Sequence, residues 1–248
     1  MRLSSTVWML PVAVCLFGAE DFWIARDADK WSEREIDRMV TDSPWAKEAR
    51  VRLRGDSIPN IERGSHGGAV DEPQAGAVLQ NRATSIQAIP HILVRWDSAP
   101  PVYEACSRGG MDRPLFTCVS KLLYLSALGN KFDRLRDDNY IVSMSNYPVR
   151  AGVNAPQHSE AATAALQKMA AQIQETTFLK RKGKSPAKPA HVVALPAAQT
   201  LLIIVFFSRT ETLSISDKDV LFESSYGTLE LSASFKLRRM TYQGKLTL

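Results

Sequence analysis

The sequence predicts an α+β fold, mostly antiparallel sheet packed with an N-terminal helix and a second helix at about residues 159–179. Three observations carry this expectation. The last sixty or so residues run apolar or alternate in the manner of strands and hairpins. Residues 32–41 carry the signature of a capped amphipathic helix. Leu166, Met169 and Ile173 repeat at helical spacing within Ser159–Phe178, padded by alanines. One sheet is expected, with one polar face and with helices covering the other.

The chain begins "MRLSSTVWMLPVAVCLFGA". Arg2 supplies a short positive start, Val7 to Phe17 is apolar except at Pro11, and Gly18-Ala19 are small. This is the layout of a secretory signal peptide over residues 1–19, leaving 20–248 as a single α+β domain. The apolar run is short for a membrane span. Phe17 and Val14 fit poorly with cleavage after Ala19 and with lipidation of Cys15. An exported protein, periplasmic or extracellular, is expected; the alternative is tethering by an uncleaved signal.

The opening segment of the mature region reads as a folding device. Ser32 and Glu35 form a capping box, in which each side chain satisfies a backbone N–H of the other residue. Trp31 and Ile36 occupy the two positions of a hydrophobic staple. Ile36, Met39 and Val40 share one helical face. Asp42-Ser43-Pro44 stops the helix, and Ser43-Pro44 is suited to open a second short turn packed by Trp45 and Ala46. The competing reading is a ligand groove lined by tryptophans.

Val51 to Gly55 alternates as a short strand, and the glycine-rich residues 55–82 read as a mobile loop. Ile92, Leu93, Val94 and Trp96 suggest a strand, with a turn and helix from Ser98 to Ala105. Val119–Leu128 has helical spacing, and "NYIVSMSNYP", residues 139–148, reads as a strand. After the helix at Ser159–Phe178, Lys180, Arg181 and Lys182 would complement its negative end and Gly183 would cap it. "LLIIVFF", residues 201–207, fits a strand buried on both faces. Val220–Phe222, a turn at Tyr226-Gly227, and the strictly alternating "TLELSASFKL" form a hairpin. Tyr242, Leu246 and Leu248 end the chain in register.

The residues Trp31-Ser32, Glu35, Ser43-Pro44-Trp45-Ala46, Val94-Arg95-Trp96, Ser98-Ala99 and Gly244-Lys245-Leu246 resemble the blocks of a family of exported bacterial proteins of unknown function. That family has an FW…WSxxE…SPWA start, a central VRW segment and a closing FxLxxMxYxGKLxL run. "FWIARD" is faintly similar to the exported GWxTD-domain proteins, whose signature itself is absent. The resemblance implies export and a shared fold, and it carries over no catalytic residue.

Composition and spacing narrow the chemistry. The formal net charge of +5 is too small to imply nucleic-acid binding, and no nucleic-acid partner is expected. The basic run Lys180–Lys184 reads as a solvated helix end and linker. Cys106 and Cys118 are suited either to a disulfide in an oxidising compartment or to two buried free thiols. Gly55-Asp56-Ser57 lacks the Asp-x-x-His partner of the esterases it evokes. Gly64–Gly68 lacks a Gly-x-Ser-x-Gly elbow. The four histidines, His66, His91, His158 and His191, form no metal-ligating pair by spacing, and Asp217–Asp219 reads as a turn. Arg95 and Asp97, flanking Trp96, could pair or bind an acidic group, but solvation is the usual outcome for such residues. No catalytic residue, metal or cofactor is assigned. The expected function is binding, or an accessory role in the envelope, with a small-molecule or protein ligand that the sequence does not name. The alternative is an extracytoplasmic hydrolase whose residues converge only in the fold.

Overall fold

The computed structural model describes residues 21–54, 90–108, 118, 132–148, 159–197 and 199–248. The signal-like segment 1–19, the loop expected at 55–82, the helix expected at 119–128, and His66 and His158 lie outside the described residues.

The chain enters through a single helical turn, α1 (Phe22–Ala25), and a 3-10 turn at Ala28–Lys30. Helix α2 (Glu33–Thr41) begins at the Ser32 cap. The Ser32 hydroxyl accepts from the backbone N–H of Glu35, and the Glu35 carboxylate accepts from the backbone N–H of Ser32 at 2.8 Å. Two donors that the helix start would otherwise orphan are thereby satisfied. The buried face of α2 is Ile36, Met39 and Val40. Trp31 and Ile36 both lie in the main core. Trp31 makes its ring contacts with Phe22 and Tyr242, at 5.3 and 6.1 Å between centroids.

The turn after α2 differs from the helical turn expected there. Ser43 to Ala46 is a β-turn closed by mutual backbone hydrogen bonds of 3.1 and 3.2 Å. Pro44 takes the second turn position, where its fixed φ is pre-set. The Ser43 hydroxyl donates to the carbonyl of Met39 at 2.7 Å and ties the turn back onto α2. Trp45 is fully buried, and its indole N–H donates to the carbonyl of Thr247 at 2.7 Å.

The single sheet expected from the sequence is two larger antiparallel sheets and a small one. The chain crosses between the two larger sheets at Ala49, which separates β1 (Ala46–Glu48) from β2 (Arg50–Leu53). β3 (Leu93–Trp96) leads into α3 (Pro100–Arg108), and α4 (Phe132–Asp138) leads directly into β4 (Asn139–Pro148). The long helix α5 (Glu160–Thr176) starts at Ser159, whose hydroxyl accepts from Ala162 N at 3.1 Å. The remaining strands are β5 (Phe178–Arg181), β6 (His191–Ala197), β7 (Thr200–Ser208), β8 (Asp219–Tyr226), β9 (Leu229–Lys236), β10 (Thr241–Tyr242) and β11 (Lys245–Leu246). The five-stranded sheet has the order β1-β3-β4-β7-β6, and the four-stranded sheet β2-β9-β8-β5.

The helix expected over 159–179 ends three residues early, at Thr176, and the residues that follow it are a strand. Thr177 is extended, and its hydroxyl meets Ser224 Oγ at 2.7 Å. Phe178 to Arg181 then pair with Val220 to Glu223 on β8. Lys180 and Arg181 therefore do not close a helix. Lys180 pairs with Glu223, Arg181 with Glu211, and Lys184 with Asp217 at 2.7 Å. Pairing with β8 outweighs the local preference of this basic run, because a strand edge supplies backbone partners that a frayed helix end cannot.

The two sheets share a core. Trp96 meets Phe235 at 5.7 Å and Phe207 meets Phe222 at 6.3 Å, both edge to face. β7 shows why seven consecutive apolar residues are needed. Leu201, Ile203, Val205 and Phe207 face the inter-sheet core, whereas Leu202, Ile204 and Phe206 belong to a second cluster on the other face, against Tyr103 and Leu135. The four-stranded sheet has the one polar face that alternation predicts. On β9, Leu229, Leu231, Ala233 and Phe235 are buried, while Ser234 and Lys236 are exposed. β10 and β11 form a hairpin whose two-residue loop, Gln243-Gly244, has φ of 50° and 75°. That pattern is one reason a glycine stands at the second position.

Candidate functional site

Arg95 and Asp97 are buried rather than solvated. Strand register places Ala46, Arg95, Ser143, Ile204 and Val193 in one row across the five-stranded sheet. This row lies on the face away from the inter-sheet core. The Arg95 guanidinium meets Asp97 Oδ1 at 2.8 Å, and the Ser143 hydroxyl donates to the other carboxylate oxygen. Burial pushes the Asp97 carboxyl above its usual range, and Arg95 and Ser143 pull in the opposite direction. The sequence suggested a surface pair because Arg95 and Asp97 alternate with buried Trp96. That alternation marks a solvent face only when one face of the sheet is wet.

Immediately beyond Asp97 the chain turns into a polar cavity of about 620 Å³. Its position follows from the fold. Ser98 is fixed at the end of β3, where its hydroxyl accepts from Ile141 N at 3.0 Å. α3 contributes Tyr103 and Glu104, α4 contributes Arg136 and Asp137, and Arg209 arrives just after β7. Leu246, Thr247 and Leu248 close the cavity beside Pro100.

The cations are held by aromatic faces. The Arg209 guanidinium lies over the Tyr140 ring at 4.4 Å, and that of Arg136 over Tyr103 at 4.6 Å. Arg209 Nε donates to the carbonyls of Arg136 and Asn139, both at 3.2 Å, and Nη2 donates to Leu248 O. Burial works against this charge and lowers its pKa, although a guanidinium stays protonated at any ordinary pH. On the acidic side, Glu104 Oε2 accepts from the Tyr242 hydroxyl at 2.7 Å. Burial and the Glu104 carboxylate raise the Tyr242 pKa, so this hydroxyl remains a donor. Asp137 is exposed at the rim.

The residues singled out in the opening segment do not line this cavity. Trp31, Ser32, Glu35, Ile36, Pro44 and Trp45 build the aromatic end of the core and the cap of α2. They reach it indirectly, through Tyr242, which meets Trp31 edge to face and bonds to Glu104, and through the Trp45 indole, which donates to the carbonyl of Thr247. Cys106 on α3 is joined to Cys118 by a disulfide, with Cα atoms 5.7 Å apart. His91 is exposed and pairs with Glu48. Asp217 caps the turn at Ser214 and pairs with Lys184. Glu104, Arg136 and Arg209 were missed in the sequence because no local spacing connects them.

A second groove of about 530 Å³ runs between α5 and the edge strand β6, lined mainly by Leu166, Ala170, Val193 and Leu195, with His191 at one end. Among the described residues, no three His, Cys, Asp or Glu side chains cluster in a way that could hold a metal ion, and no helix is long and apolar enough to cross a membrane. Compared with protein-family models, curated proteins and solved structures, the chain matches none.

Proposed function

We propose that the chain is an exported binding module whose ligand site is the cavity between α3, α4 and Arg209. The observation that carries this reading is Arg209 itself. Its guanidinium is partly desolvated, is fixed by three hydrogen bonds and a tyrosine face, and lines the cavity. A positioned and poorly hydrated donor in a cavity of this size has the makings of a small-molecule site. Export is supported by the signal-like start, by the resemblance to exported proteins and by the Cys106–Cys118 bond, since disulfides persist in oxidising compartments. The hydrolase alternative gains no support among the described residues, because His91 faces Glu48 at the surface.

A thermal-shift screen of sugars, amino acids, peptides, lipids and metals on the exported form tests the reading. A ligand present at a hundred times its Kd should stabilise by about 2.7 kcal/mol. Leu246→Trp, which fills the cavity, should remove that shift. A screen in which no compound raises the melting temperature, or in which the filled variant responds like the parent, overturns it.

A further inference from the structure

We infer that the groove between α5 and β6 receives an extended peptide segment of another protein, which adds to the five-stranded sheet as a further strand. This surface is separate from the cavity proposed above. β6 ends the five-stranded sheet and, among the described residues, pairs with β7 alone. Six consecutive residues, His191 to Pro196, line the groove. Neighbouring side chains of a strand point to opposite faces, so a groove touching all six runs along the strand's edge, where the main-chain N–H and C=O groups lie. Thr163, Leu166, Gln167, Ala170, Ala171 and Gln174 form the opposite wall. They recur at the three- and four-residue spacing of one helix stripe. A channel with a strand edge on one side and a helix on the other suits strand addition.

The other sheet edges make the open one an exception. Unpaired edges invite pairing, and proteins blunt them with short strands, charges or cover. β1 has three residues, including Lys47 and Glu48. β2 has four, with Arg50 and Arg52 exposed. β5 is covered at Leu179 by Ala187, through two backbone hydrogen bonds of 3.0 and 2.9 Å. β6 has seven residues, "HVVALPA", with no Lys, Arg, Asp or Glu. Its ends set the docking length. The Gln174 amide donates to the carbonyl of Ala190 at 3.1 Å, just before the strand, and Pro196 has no N–H to offer. Between them, an extended main chain supplies donors and acceptors at the matching spacing, which a sugar or a lipid does not. Leu166, Ala170 and Ala171 make the helix wall apolar. The peptide should therefore carry apolar side chains at alternate positions and no internal proline.

A random linear heptapeptide library displayed on phage, panned against the folded exported form, tests the inference. Enriched peptides should show that alternation. In fluorescence polarisation, the most enriched peptide should lose at least about tenfold in affinity when the N–H groups of every second residue are methylated. Methylating the intervening residues should matter much less, because only one of the two sets faces β6. Ala171→Trp and Gln167→Trp, both at exposed positions lining the groove, should each weaken binding at least about tenfold. Lys168→Trp, exposed on the same helix outside the groove, should leave it unchanged. Thermal melts establish that each variant is folded. Enrichment no greater than on an unrelated protein, equal sensitivity to both methylated sets, or binding unchanged by the two blocking variants overturns the inference. If sedimentation shows a concentration-dependent dimer that Ala171→Trp dissolves, a second copy fills the groove and the peptide inference falls.

Discussion

Arg95 and Asp97, separated only by Trp96, pair inside the protein, with Nε at 2.9 Å and Nη2 at 2.8 Å from the same carboxylate oxygen. Their side chains are 2% and 4% exposed, so water screens this pair very little. Removing one partner of a buried pair leaves an uncompensated charge, whereas replacing both with apolar groups can be close to neutral. Asp97→Ala should therefore cost about 3–5 kcal/mol in urea denaturation. Arg95→Met combined with Asp97→Leu should cost clearly less than the two single changes together. Strict additivity would show that the two residues do not act as a pair.

The cap of α2 can be tested through its own chemistry. Ser32→Ala should destabilise by about 0.5–2 kcal/mol. The backbone N–H of Ser32, with smaller help from Arg26, lowers the Glu35 pKa below its ordinary 4.5. A lowered folded-state pKa means that Glu35 adds stability above 4.5, and that this is lost as pH falls through the folded value. Denaturation midpoints between pH 6 and 2 should fall less in Glu35→Gln than in the parent. Parallel profiles would show that the carboxylate is not engaged in solution.

Trp45 and Trp31 separate folding from binding in the opening segment. Trp45 is 0% exposed and also holds Thr247 through its indole N–H. Trp45→Ala should cost about 3–5 kcal/mol. Trp31→Ala should destabilise too, through lost contacts with Phe22 and Tyr242. If neither change lowers the denaturation midpoint while ligand binding disappears, the segment is a binding surface and its structural assignment fails.

The disulfide and export can be read in one preparation. Protein from the extracytoplasmic fraction should lack roughly the first nineteen residues by intact mass. Its non-reducing peptide map should join Cys106 to Cys118. Cys106→Ser should cost up to about 3 kcal/mol, the value for closing a short loop. Full thiol labelling of both cysteines without reductant, or a full-length cytosolic product, contradicts the respective part.

Local rules in the sequence determined much of this protein. The Ser32–Glu35 cap, the Ile36-Met39-Val40 face, the strand at 139–148 and the alternation of Leu229 to Phe235 are all short-range patterns. Each records which face of an element must leave water. The apolar run at 201–207 correctly announced a strand buried on both faces. Tertiary structure decided what no short window contains. Pairing with β8 turned Phe178–Arg181 into a strand, and the crossing at Ala49 divided one expected sheet into two. Burial of the second sheet face changed Arg95 and Asp97 from a solvated pair into an internal one. The cavity belongs to this second class. Glu104, Arg136 and Arg209 lie far apart in the chain and meet only because α3, α4 and the end of β7 converge on β4. Secondary structure is set by neighbours a few residues away, whereas a site of this kind is set by which elements the core brings together.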